Sequence, residues 1–174
     1  SLTPSAVSQR IRALERAAER WPDQVALRLG DSTVTYRQID DAATRFAGHL
    51  VDGGVQGGDR IAVMTTNRVE FVAVVNGIFK VGAAAVLLNP GWRRAEVDHA
   101  VALTGPALGV ADGDATDLLR TSLGGRPVLD LDHPATAAAL ATDPRADVDP
   151  RVASVDVEPD HDAVLVFSSG TTGL

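Results

Sequence analysis

Four hydroxyl side chains and two glycines stand together in Ser168-Ser169-Gly170-Thr171-Thr172-Gly173, directly after the apolar run Ala163 to Phe167. Gly170 and Gly173 permit backbone angles that a side chain forbids, so successive amide hydrogens can converge on an anion. Ser168, Ser169, Thr171 and Thr172 add donors that reach phosphate oxygens. A turn just beyond a buried strand lies at the carboxyl edge of a sheet, where open α/β folds bind ligands. The chemistry this suits is the holding of a polyphosphate. The loop carries no cation, so that chemistry calls for magnesium or a lysine from elsewhere. On composition alone a structural Gly/Thr-rich turn is an equal competitor. Two other phosphate signatures are absent: there is no GxxxxGK[ST], and no GxGxxG follows a strand. Gly53-Gly54 and Gly57-Gly58 read as turn geometry between a helix end and a strand.

The elements that must position this loop can be followed along the chain. Val7, Ile11, Leu14, Ala18 and Trp21 mark an amphipathic helix ending before Pro22. Val25 to Leu29 and Thr33 to Tyr36 flank Gly30-Asp31-Ser32 as a β-hairpin. Thr35 with Gln38 forms a capping box for a helix whose stripe is Ile39, Ala42, Ala43, Phe46 and Leu50. Arg60 to Met64 is a strand. Asn67 with Glu70 opens the next helix, with Phe71, Val72, Val75, Ile78 and Phe79 on its buried side, and Ala83 to Leu88 returns as a strand. These lengths predict a right-handed βαβ unit with parallel strands covered on both faces. Helices over 94–103 and 116–123, strands over 107–111, 127–131 and 163–167, and a short helix near 136–141 complete the pattern. The Asp- and Pro-rich stretch over about 132–160 reads as a polar connection. The expected fold class is α/β, a layered and mostly parallel sheet flanked by helices.

Composition narrows the function. Hydrophobic residues make up 45% and charged residues 22% of the 174, a globular balance suited to one domain. Sixteen basic against twenty-three acidic residues give a net charge of −7. That argues against a general nucleic-acid binder or an electrostatic membrane binder. The lack of cysteine excludes disulfides, thiolate chemistry and cysteine-ligated zinc. No run approaches a membrane-spanning length, and a cytoplasmic location is the default expectation.

Phe167 to Leu174 resembles the opening of the phosphate loop of the adenylate-forming superfamily, which includes acyl-CoA synthetases, nonribosomal-peptide adenylation domains and luciferases. The family's pattern there is an aromatic residue, Thr or Ser, Ser-Gly-Thr-Thr-Gly, then Pro-Lys after one further residue. This sequence matches as far as Leu174, where it ends. Thr35, Tyr36 and Ile39 resemble the family's early helix entry, with Gln38 in place of Glu. Gly54-Val55, Gly58-Asp59-Arg60 and Ile61-Ala62-Val63 resemble its next segment. Asn67, Glu70 and Phe71, then Lys80-Val81-Gly82-Ala83 and Leu88-Asn89-Pro90, resemble the helix and strand that follow. The ordered set covers nearly the whole chain and is more specific than any one motif.

The resemblance implies that residues 1–174 are an incomplete amino-terminal portion of the large domain, with the carboxy-terminal remainder absent. It implies a parent ligase that uses ATP and Mg2+ to join a carboxylic acid to AMP, then passes the acyl group to coenzyme A. An acyl-CoA synthetase of fatty or related acids is the first expectation. An amino- or aryl-acid adenylating enzyme, or a non-catalytic α/β nucleotide- or protein-binding module, is the alternative. Ser168 to Gly173 would hold the ATP phosphates. Catalytic, adenine-binding and magnesium-binding residues are expected beyond Leu174, so the chain alone should be inactive. Its uncovered apolar surface leaves self-association open.

Other candidates read as structural. His49, His99, His133 and His161 are too scattered for a metal or a relay. Asp130, Asp132, Asp143, Asp147 and Asp149 lack EF-hand spacing and suit a solvated linker. Lys80, the one lysine, closes a helix where a cation complements the dipole. Trp92 is expected to cover a helix–sheet junction, with the lining of a ligand mouth as its other use.

Overall fold

The computed structural model describes residues 12–141 and the backbone of 164–166. The amphipathic stripe begun by Val7 and Ile11 lies outside them; its described part is helix α1 (Ala13–Arg20). Strands β1 (Val25–Leu29) and β2 (Ser32–Thr35) form the expected antiparallel hairpin. Tyr36 starts the following helix instead of ending the strand. That helix, α2 (Tyr36–Asp52), begins with the expected capping box. Gln38 N–H donates to Thr35 Oγ1 at 3.2 Å and Thr35 N–H donates to Gln38 Oε1 at 2.9 Å, so two otherwise unpaired amides are satisfied reciprocally.

The βαβ unit consists of β3 (Arg60–Met64), α3 (Glu70–Lys80) and β4 (Ala84–Leu87), with the strands parallel. Two details depart from expectation. Asn67 does not cap α3: the cap position is Val69, and no side chain bonds there. The buried side of α3 is Ala73, Val74, Gly77 and Ile78, while Phe71, Val72, Val75 and Phe79 are half-buried. The cause is the crossing of α2. A Cβ on Gly77 would lie 2.8 Å from the Ala43 carbonyl oxygen and 2.9 Å from Phe46 Cδ1. The small residues therefore set the closest approach and the large ones flank it.

Helix α4 (Arg94–Thr104), strand β5 (Leu108–Ala111), helix α5 (Ala115–Leu123), strand β6 (Val128–Asp130), helix α6 (Pro134–Leu140) and strand β7 (Val164–Val166) follow. The first third of the stretch read as a polar connection thus holds a packed helix, with Thr136, Ala139 and Leu140 buried. Arg45 of α2 secures its end by donating to the carbonyls of Ala139, at 3.0 Å, and Ala141.

One five-stranded sheet runs in the order β6-β5-β3-β4-β7, every neighbouring pair parallel. Alternation along β3 divides the core in two. Ile61 and Val63 join Phe46, Leu50, Val74 and Ile78 beneath α2 and α3. Ala62 and Met64 join Val97, Val101, Leu119 and Leu123 beneath α4 and α5. Burial on both faces explains why these strands read as unbroken apolar runs.

Candidate functional site: the carboxyl edge of the sheet

A parallel sheet sends the loops after all its strands to one edge. Here the connection after β3 leaves toward the α2–α3 layer and the one after β5 leaves toward the α4–α5 layer. The boundary between β3 and β5 is therefore the topological switch point, where open α/β sheets form their crevice. Strand β7 lies two places from β3, about 10 Å at ordinary strand spacing. Its register on β4, with Leu87 beside Val166, brings the chain to the same edge immediately before Ser168. The loop Ser168 to Gly173, Leu174 and the aromatic Phe167 lie outside the described residues, as do His161, Asp143, Asp147 and Asp149.

The switch point is occupied by the chain's own charges. Asp112, just beyond β5, is 4% exposed. It accepts from Thr66 N–H at 3.0 Å, from Thr66 Oγ1–H at 2.6 Å and from Arg68 Nη1 at 3.2 Å. Arg68 Nη1 also donates to Asp132 at 2.9 Å, and its Nε donates to Glu70 at 3.1 Å. Asp132 in turn accepts from Gly113 N–H at 3.2 Å. One guanidinium thus ties together the segments that follow β3, β5 and β6.

The titration of these groups follows from the contacts. The hydrogen bond to Glu70 holds the Arg68 guanidinium above its ordinary value, despite the opposing effect of burial. Burial pushes Glu70 up, but its bond to Arg68 and a backbone bond outweigh that and leave it lowered. Asp132 is lowered by Arg68 and then by the Gly113 amide. Arg68, Glu70 and Asp132 therefore all carry their charges at neutral pH. Nearby, the hydroxyls of Thr65 and Thr116 are buried without a hydrogen-bond partner among the described residues.

Sequence reasoning missed this network. It placed Asp132 in a solvated linker, whereas the structure sets it on Arg68. The available signal was the recurrence of an aspartate within two residues of a strand's end, Asp112 after β5 and Asp132 after β6. Trp92 is half-buried against the α4–α5 core, the junction-covering role expected of it. Lys80 does more than meet a helix dipole: 11% exposed, it pairs with Glu15 at 2.8 Å and Asp40 at 2.9 Å. His133 caps α6 by accepting from Ala135 N–H at 3.2 Å, a structural role.

Residues 14–174 match the family described as AMP-binding enzyme. The chain belongs to that family. Among its AMP-binding relatives, phosphinothricin tripeptide synthetase PhsC of Streptomyces viridochromogenes is 32% identical over 92% of the chain and 14% of its own length. A medium/long-chain-fatty-acid–CoA/3-oxocholest-4-en-26-oate–CoA ligase of Mycobacterium marinum is 43% identical over 47% of the chain and 14% of its own length. The apo structure of Mycobacterium smegmatis MbtA superposes with a TM-score of 0.79 and 30% identity, over 94% of this chain and 32% of that one. The chain spans about one seventh of the length of these two curated relatives. Its α/β fold, as a partial unit, is that of the solved AMP-binding relatives.

Among the described residues no cluster of three or more His, Asp or Glu could hold a metal ion. The carboxylates nearest the edge are already committed to Arg68, Thr66 and Gly113. They do not fit magnesium. Among the described residues no helix is long and apolar enough to cross a membrane.

Proposed function

We propose that residues 1–174 are the amino-terminal part of an ATP-dependent ligase that activates a carboxylic acid as its adenylate. The acid's carboxylate oxygen attacks the α-phosphorus of ATP and pyrophosphate leaves. A thiol then attacks the acyl carbon and AMP leaves. Ser168, Ser169, Gly170, Thr171, Thr172 and Gly173 hold the outer phosphates through amide and hydroxyl donors. The observation that carries this reading is the delivery of the chain by β7 to the carboxyl edge immediately before that loop, in a chain that matches the AMP-binding family from residue 14 to residue 174.

Coenzyme A as the thiol and a fatty or related acid as the substrate are the first reading, supported by the 43% identity to the mycobacterial CoA ligase. Adenylation of an amino acid is the second, supported by a match to PhsC that runs over 92% of the chain against 47% for the ligase. Pyrophosphate exchange by the full-length protein, across fatty, aryl and amino acids, separates them. Exchange with fatty acids, followed by CoA thioester formation, is the expected result. Exchange with amino acids alone selects the second reading, and none with any acid refutes both.

A further inference from the structure

The turn between β3 and α3 is held by a charged hydrogen-bond network. Its backbone amide at Thr66 and the Thr66 hydroxyl both donate into Asp112, and its Arg68 reaches the ends of β5 and β6. Asp112 is buried while Arg68, Glu70 and Asp132 are partly exposed, so the network adds little net stability over well-packed apolar side chains, and what it provides is a fixed geometry. What it fixes is the segment carrying Asn67. That residue is exposed, caps no helix and makes no hydrogen bond to another described residue. It stands at the central strand's carboxyl end, beside the switch point where ligands of such sheets bind.

We propose that Asp112 is a positioning residue, holding the β3–α3 turn so that the Asn67 carboxamide meets an uncharged polar portion of the bound nucleotide or acyl-adenylate. The inference rests on the adenylation reading above. The charge balance decides which portion is met. Glu70, Asp112 and Asp132 outnumber Arg68, so the field around this turn is unfavourable to phosphate. A neutral amide, donor and acceptor at once, suits a sugar hydroxyl or another neutral group there.

The test is a double-mutant cycle in the full-length protein, read as kcat and KM for ATP in pyrophosphate exchange and as thermal midpoint. Asn67→Ala should lower kcat/KM about tenfold, the loss of one good hydrogen bond, with the midpoint unchanged. Asp112→Asn should lower kcat/KM at least as much and also lower the midpoint. Combining the two should add no further kinetic loss, because both act through one contact. A purely structural Asp112 gives an additive double variant, and that result overturns the proposal. So does an Asn67→Ala protein with wild-type kinetics, whether or not Asp112→Asn folds. Absence of exchange in the wild-type protein instead refutes the adenylation reading itself.

Discussion

Helix α3 carries a cation at each end, and the two are used differently. Lys80 closes the helix, where the dipole welcomes positive charge, and it gathers Glu15 of α1 and Asp40 of α2. It joins helices to helices on the outside of the layer. Arg68 precedes the helix, where the dipole disfavours a cation, and three carboxylates from separate segments compensate. It joins the ends of strands. One cation therefore holds the fold's outer packing, while the other sets the shape of the sheet's carboxyl edge. The difference teaches that the less favourable electrostatic position is the one spent on geometry.

The largest expected effect that could break this contrast comes from Asp112→Ala. It leaves the Thr66 amide and one face of Arg68 without their buried acceptor, and should cost about 2–4 kcal/mol in urea unfolding. Lys80→Ala should cost less, about 1–2 kcal/mol, since Glu15 and Asp40 retain access to water once unpaired. Its loss should fall mainly on α1, which buries no residue of its own, and hydrogen exchange of residues 13–20 is the readout. If Lys80→Ala proves the more damaging substitution, the assignment of the two ends is wrong.

The smallest effect, and the one that sharpens the contrast, is with pH. The folded values of Glu70 and Asp132 are lowered, so the stability they contribute is present above their unfolded values and is lost as pH falls through the folded ones. For Lys80, burial acts downward but the bonds to Glu15 and Asp40 prevail and raise it. Its contribution is present below the ordinary 10.5 and lost as pH rises through the folded value. Acid should thus loosen the Thr66–Arg68 turn first and alkali should release α1 first. Amide exchange followed at both extremes checks this, and loss of both regions together at one extreme would refute it.

Much of the fold was legible because its elements obey local rules. The capping box at Thr35 and Gln38 and the continuous apolar strand 60–64 needed no tertiary knowledge. The buried face of α3 was misread, because the sequence shows which residues are apolar and not that Gly77 lets α2 come closest. The Arg68 network was invisible for a related reason. Its carboxylates at positions 70, 112 and 132 are brought together only by the strand order, and each alone resembles a solvated surface charge. Asn67 followed by Glu70 looked like a cap, and the helix instead begins at Glu70 while Asn67 stays exposed.

The strand order also dictates a sequence of events during synthesis. Strands β3, β4, β5 and β6 are complete by Asp130, and they pair among themselves. β7 arrives only at Val164 and adds to the open side of β4. At about 5–20 residues per second, the ribosome leaves that side of β4 waiting for several seconds. A nascent four-stranded sheet with one unpaired edge invites pairing with the wrong chain, so the docking of β7 is the step at which a chaperone would act to most effect.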